Sequence, residues 1–336
     1  RPEIVAHALD VDETLIDTVC SRLRQHLTGD DATRAEAFAR QYYRWVSPED
    51  IAERRDLDLY GAALAHFDVA RRRAPGVTKA RIYNPEFEVH GWESPHTAVE
   101  IVTDDMPFLI DSIGMELNRH GFGVHLIIHP VIQVRRDGEG NLLEVLPHGA
   151  QADGTLAESV IHAEVARQTD PAELEQLEAQ LKRVIDEVRA AVTDWPDMRA
   201  LALDVVAELG TDPPPLDADE VAEAREFLVW LEDHNFVFLG YRDYELTGEG
   251  AELSLESVPD SGLGILRHAE GDESSRGFDS LPPAVRSHAF EPYLLNLTKA
   301  NARATVHRPS FLDYVGIKRF DEAGRVIGER RFLGLF

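Results

Sequence analysis

Two carboxylates stand side by side at Asp104-Asp105, between the apolar run Val99-Glu100-Ile101-Val102 and the segment Met106-Pro107-Phe108-Leu109-Ile110-Asp111-Ser112. A strand-to-helix joint of this kind can do two sorts of chemistry. Its acids can take an ammonium, and free N–H groups at a helix start can take a carboxylate, so a bound zwitterion needs both. A plainer reading stands beside it, in which one aspartate caps the helix and the other offsets its dipole.

The remaining groupings point away from catalysis. His125 and His129 would share a face on a helix, but on a strand they stand roughly 13 Å apart, too far for one ion. His162-Ala163-Glu164 matches half of a zinc-deaminase signature, whose other half needs paired cysteines, and Cys20 is the single cysteine. Gly262-Leu263-Gly264-Ile265-Leu266-Arg267 matches only the first half of a dinucleotide loop, with flanks that are not strand then helix. No Walker loop and no G-x-S-x-G elbow occurs. The expectation is no catalytic residue, no cofactor-binding residue and no metal site in this chain.

Composition narrows the partners. The chain has 336 residues, a net charge of −27 and only four lysines, Lys79, Lys182, Lys299 and Lys318. Nucleic acid and anionic membrane both need clustered cations, so neither is expected. One cysteine excludes an intrachain disulfide framework, no apolar run reaches the ~20 residues of a membrane span, and no signal peptide is read. The expected compartment is the cytoplasm. The start without methionine and the strand-like end Arg331–Phe336 read as a piece of something longer.

Periodicity supplies the elements that must hold these residues. Residues 1–76 read as helical: Leu15, Val19, Leu23 and Leu27 share one face, and Phe38, Tyr42 and Trp45 mark the next helix. Ser47-Pro48-Glu49-Asp50 starts another. A further helix, Asp56–Arg73, ends in Arg71-Arg72-Arg73, which reads as dipole compensation, with a binding patch the alternative. Residues 77–210 read as strands about 81–85 and 97–103, a helix Met106–His120 with Pro107 in its first turn, and the strand 122–134 with one apolar face. A hairpin through Asp137–Asn141 follows. Glu158–Gln168 fits either strand or helix. The next helix has Asp170 as cap, Pro171 at N1 and Glu173 completing a capping box, and it stops before Trp195-Pro196. Met198–Glu208 forms a separate helix.

Thr211-Asp212-Pro213-Pro214-Pro215 is the boundary to residues 216–336. There a helix, Asp219–Glu232, precedes strand 236–246, long loops over 248–290, and strands near 293–299, 314–319 and 326–336. The fold class is α+β: an N-terminal helical segment, a ferredoxin-like β-α-β-β sandwich with long helices, and a second antiparallel α+β domain.

Four stretches carry a family resemblance: Thr103–Ser112; His125-Leu126-Ile127-Ile128-His129-Pro130-Val131; Leu297-Thr298-Lys299-Ala300-Asn301 with Val306-His307-Arg308-Pro309; and Tyr314–Phe320 with Gly328–Phe336. Together they resemble the N-terminal part of the large bacterial NAD-dependent glutamate dehydrogenases, over nearly all of residues 40–336. The resemblance implies tandem ACT-like regulatory domains with a PAS-like unit, and a dehydrogenase core far downstream that alone uses NAD. It makes Asp104, Asp105, Met106, Phe108, Leu109 and Asp111 the candidate effector-binding residues. It also implies a homo-oligomer and, as a partner, a free amino acid. The first reading is therefore a regulatory or oligomerisation segment without activity; the alternatives are a purely structural module and a stand-alone sensor. One departure stands out. ACT ligand loops commonly place glycine after the proline, and here Phe108 takes that place, where its ring blocks the pocket, lines it, or packs against a neighbouring element.

Overall fold

The computed structural model describes residues 13–52, 54–248, 254–267 and 291–336. The chain's first residues and parts of the expected loops, 249–253 and 268–290, lie outside them. The described residues fall into two units, one from those up to Met106 with Ile113–Ile185, the other from Pro107–Ser112 and those from Asp186 on.

The first unit opens with helices α1 (Glu13–His26), α2 (Gly29–Tyr42), α3 (Pro48–Ala52) and α4 (Asp56–Ala70). A six-stranded sheet follows: β1 (Lys79–Tyr83), β2 (Thr97–Asp104), β3 (Val124–Ile128), β4 (Val131–Arg136), β5 (Leu142–Val145) and β6 (Leu156–Val165). Two more helices interrupt it, α5 (Phe87–His90) and α6 (Leu109–Arg119). The strand order is β1-β2-β6-β4-β5, with β3 also on β6. β2 and β3 flank β6 and both run antiparallel to it, so they are parallel to one another.

The helices do not stand apart as the sequence division at residue 76 supposes. Leu23, Phe38, Tyr42 and Phe67 share one core with Val102, Leu126, Ile132 and Val160 of the sheet. The ambiguous segment resolves as β6, the central strand. It is buried continuously from Glu158 to Val165, so covering on both faces removes the alternation that would have marked it. The strand expected over 122–134 is two strands in tandem along β6. Pro130 has no N–H to give the ladder, and the break falls there. Most of the expected face survives the break: Phe122, Leu126, Ile128, Ile132 and Val134 are buried, while Val124, at the start of β3, is exposed.

Between β4 and β5 the chain turns at Gly140, whose φ is 82°. Its carbonyl accepts from Arg73 N at 2.9 Å and from Arg136 Nη1 at 3.0 Å. A Cβ there would lie 2.7 Å from the Arg73 carbonyl oxygen, so only glycine lets the turn sit this close.

Helix α7 (Pro171–Thr211) is one helix of 41 residues, not two, and Pro196 lies inside it. A proline removes one ladder bond. Here the buried stripe resumes at once with Met198, Ala202, Val205 and Leu209, which offsets that loss. The cap is also partly different. Asp170 Oδ1 accepts from Ala172 N at 2.9 Å, but Glu173 accepts from the Gln168 amide, whose own oxygen takes the Asp170 N–H at 2.9 Å. The second compact unit takes up the chain inside α7, from Asp186.

The second unit adds α8 (Ala218–Trp230) and strands β7 (Val237–Thr247), β8 (Ser254–Ser257), β9 (Leu263–Gly264), β10 (Leu295–Arg303), β11 (Phe311–Phe320) and β12 (Val326–Leu335). They form an antiparallel sheet of order β10-β11-β12-β7-β8, with β9 on β7. Met198, Val205, Leu228, Phe238, Tyr241 and Phe332 build its core. Gly264 belongs to this packing: a Cβ there would lie 2.1 Å from the Leu239 carbonyl oxygen. Among the described residues no helix is long and apolar enough to cross a membrane.

Candidate functional site

The Asp104–Ser112 joint is built, but its charges are already committed. Asp104 ends β2. One carboxylate oxygen accepts from Arg73 Nη2 at 2.7 Å and the other from Gly76 N at 2.9 Å. Arg73 is fully buried and also donates to Glu158, from Nε at 3.1 Å and Nη2 at 2.7 Å. Arg136 closes the group, donating to Glu158 at 2.6 and 2.7 Å. Two guanidiniums and two carboxylates thus balance in a dry environment. Burial works against the charge on Arg73, but the bonds from Asp104 and Glu158 outweigh it and raise its pKa. The arginine run at the end of α4 is therefore neither mere dipole compensation nor an exposed patch, because its third member is the buried clamp of this site.

Asp105 is held by another chain of bonds. Ser159 Oγ donates to its Oδ1 at 2.7 Å, and His129 Nε2 stands 3.0 Å from the same hydroxyl. The serine proton points to the carboxylate, so the histidine must donate to Ser159 and cannot serve as its base. Burial lowers the His129 pKa, and the Asp105 charge only partly counters this. Neither aspartate caps the helix, because α6 starts only at Leu109.

What delays that start is Phe108. Its φ is 70°, a conformation that favours glycine and strains an aromatic residue. The ring is stacked on His307, with centroids 4.7 Å apart and planes at 21°. His307 itself has a φ of 78°, and its N–H donates to Ser112 Oγ at 3.2 Å. All three residues belong to the second unit. Leu109 is buried, Asp111 is exposed and Met106 is half-buried. The structure thus gathers Asp104 and Asp105 on β6 partners, and sets Phe108 against one of the other signature stretches.

A second locus lies at the far end of β6, roughly 20 Å along the strand from Glu158. Glu164 is buried at the floor of a cleft of about 1300 Å³. Arg54 grips both its oxygens, Nη2 at 3.0 Å, while Ser94 Oγ donates at 3.3 Å and His96 Nδ1 stands at 3.2 Å. His162 Nε2 is 3.6 Å away. Burial would raise the Glu164 pKa, but His162 and Arg54 hold it far below the usual carboxylate range. The His96 ring stacks on His125, 4.1 Å away. Of the tempting sequence groupings, His125 and His162-Ala163-Glu164 therefore meet here, while His129 serves Asp105. Among the described residues no group of three or more His, Cys, Asp or Glu could hold a metal. Arg54 was missed because it sits 110 residues from its partner, with no local signal.

Comparison with known proteins places the chain in a family. Residues 38–181 match the glutamate dehydrogenase ACT1 domain family. The chain is 41% identical over 323 residues to the NAD-specific glutamate dehydrogenase of Halomonas elongata, covering 96% of this chain and 20% of that protein. It is 38% identical over 314 residues to the same-named protein of Pseudomonas aeruginosa, covering 94% and 19%. A more distant relative of that name, from Mycobacterium tuberculosis, is 26% identical over 278 residues, covering 81% and 16%. The chain thus spans about a fifth of the length of the relatives it matches. It belongs to the NAD-specific glutamate dehydrogenase family, as part of its N-terminal region.

Proposed function

We propose that this chain is a non-catalytic regulatory and assembly segment of an enzyme that converts L-glutamate, NAD and water into 2-oxoglutarate, ammonium and NADH. The segment carries no NAD site, works in the cytoplasm and supports a homo-oligomer. Its first sheet is read as ACT-like of ferredoxin type: β2-α6-β3 makes the parallel crossover around β6, and β1 takes the outer edge beside β2. The second sheet is read as PAS-like, and residues 77–210 and 216–336 as the evolutionary domains.

Of the two modes, effector binding and assembly, the joint Asp104–Ser112 favours assembly. The observation that carries this is the Phe108 ring lying on His307, where a ligand loop would have glycine. Met106 and Leu109 then act through packing and not through a ligand, and Asp111 stays at the surface. The joint fixes the position of the loop, and regulation passes through whatever moves it.

Two measurements test the reading. The purified 336-residue chain, given L-glutamate and NAD, forms no NADH; turnover would refute the non-catalytic assignment. In the full-length enzyme, Phe108→Ala changes the dependence of activity on protein concentration and leaves the KM for glutamate alone. An unchanged concentration profile would remove the assembly role.

A further inference from the structure

We propose that Leu297, Lys299, Arg303 and Phe311 at the β10 edge, continued by Arg308, form a docking surface for a second copy of this chain, a role that rests on the assembly reading above but lies apart from the Asp104–Ser112 joint. Among the described strands β10 is the last of its sheet, paired with β11 alone. The register sets Leu297 opposite Val315, Lys299 opposite Asp313 and Arg303 opposite Phe311, so these side chains share one face. The Lys299–Asp313 ion pair at 2.6 Å and the Arg303 guanidinium 4.5 Å from the Phe311 ring centroid agree with this. In a chain of net charge −27, no Asp or Glu occurs between Glu291 and Asp313. Arg303 and Arg308 are exposed, and their hydrogen bonds among the described residues go to carbonyls, those of Pro309 and Phe336. Lys299 alone would blunt a sheet edge, but Leu297 at 49% and Phe311 at 43% exposure leave apolar surface beside it.

The same chain carries the complement of this strip, in the cleft above Glu164. Glu49, Asp50, Glu86 and Glu88 line that cleft, and none has an ion pair among the described residues. Of its arginines, Arg54 is engaged by Glu164 and Arg55 by Asp58 and Glu93, which leaves Arg167 against the four acids. Phe87, 47% exposed, adds an aromatic face. Guanidiniums such as those of Arg303 and Arg308 suit carboxylates, and the Phe311 ring suits that of Phe87. Two copies that each carry a charge of −27 repel at long range, so they meet where local signs are opposite, and the strip against the cleft is such a place. The contact joins unlike surfaces, so a two-fold pair makes it twice, or a ring closes through it.

The test is sedimentation velocity of the 336-residue chain at about 50 μM, in low salt and in about 300 mM salt. The chain associates in low salt, and the Kd rises about tenfold in the higher one. Arg303→Glu combined with Arg308→Glu weakens association about tenfold, and so does Glu86→Arg combined with Glu88→Arg; all four side chains are exposed, so folding is preserved. Mixing the two double variants, or placing all four changes in one chain, restores the Kd to within about threefold. Net charge alone predicts otherwise, because the two Glu→Arg changes make each copy less negative and would strengthen a contact limited by repulsion. A chain that is monomeric in low salt overturns the proposal, as does tighter association of the variant at Glu86 and Glu88, or a mixture that stays apart; the concentration profile of the full-length enzyme then still decides the assembly role. Phe108→Ala leaves this association unchanged. Its loss there, with both charge variants still associating, would place assembly at the joint alone and overturn this surface.

Discussion

The two sheets bury charge in different ways. In the first, three carboxylates on β2 and β6 lie inside, and each is met by arginines from other segments: Glu100 by Arg81, Glu158 by Arg73 and Arg136, Glu164 by Arg54. In the second, cations on β11 and β12 lie inside against rings. Arg331 is 3.8 Å from the centroid of Tyr244 and 4.9 Å from that of Tyr314, and Lys318 Nζ is 3.3 Å from that of Tyr293. The first arrangement uses directed, charge-assisted hydrogen bonds that tie distant pieces of chain to one sheet. The second adds ring faces, which tolerate sliding, to bonds such as the one Lys318 Nζ gives the Glu291 carbonyl at 2.7 Å. The first unit is therefore the one that leans more on particular pairs.

The hardest blow to that contrast falls on Glu158. Glu158→Ala leaves Arg73 and Arg136 buried with one carboxylate between them, and should destabilise the first unit by about 3–5 kcal/mol in urea unfolding. A loss below about 1 kcal/mol would mean that the pairs do not hold the sheet. The second test belongs to Lys318, whose pKa burial lowers to about 8. Between about pH 8 and its ordinary 10.5 the unfolded chain binds the extra proton, so stability should rise with pH there, by roughly 3 kcal/mol in all. Lys318→Met should erase that rise.

The acid side separates the sheets again. Burial lowers the His66 pKa well below its ordinary value, and partners hold that of Glu164 below the usual carboxylate range. Both groups are depressed, so their stabilisation is complete above their unfolded values and is lost as pH falls. His66 begins to matter below about pH 6.5 and Glu164 below about 4.5. Melts of Glu164→Gln should start about 2 kcal/mol less stable at pH 7 and lose part of this acid sensitivity. The smallest expected effect is that of Phe108→Gly. Relief of the positive φ and loss of the stacked ring each amount to about 1 kcal/mol, with opposite signs, so the melting curve should scarcely move. A shift above about 5 °C would show that one of them dominates.

How much of this the sequence disclosed depends on the range of the interaction. The faces of the helices over 13–70, the even-numbered face of 122–134 and the hairpin at Asp137–Asn141 are local patterns, and they read correctly apart from Trp45, which lies past the end of α2 and is exposed, and Val124, which is exposed too. Glu158–Gln168 stayed open between strand and helix, because a strand covered on both sides loses its period; it is the strand β6. Pro196 looked like a stop because the burial that carries α7 past it is tertiary. Asp104 looked available because its partner Arg73 lies 31 residues upstream, in a run that resembled an ordinary helix end. The φ of Phe108 could not be read at all, since nothing in an aromatic residue announces a left-handed backbone.

Gly140 shows how far from the joint such dependence reaches. It touches neither Asp104 nor Phe108, yet its carbonyl carries the backbone of Arg73 and the side chain of Arg136. Any side chain there pushes Arg73 off Asp104 and loosens the joint from behind. Substitutions at Gly140, a buried glycine at a hairpin tip, should thus lower the melting temperature of the first unit, although they lie outside the joint itself.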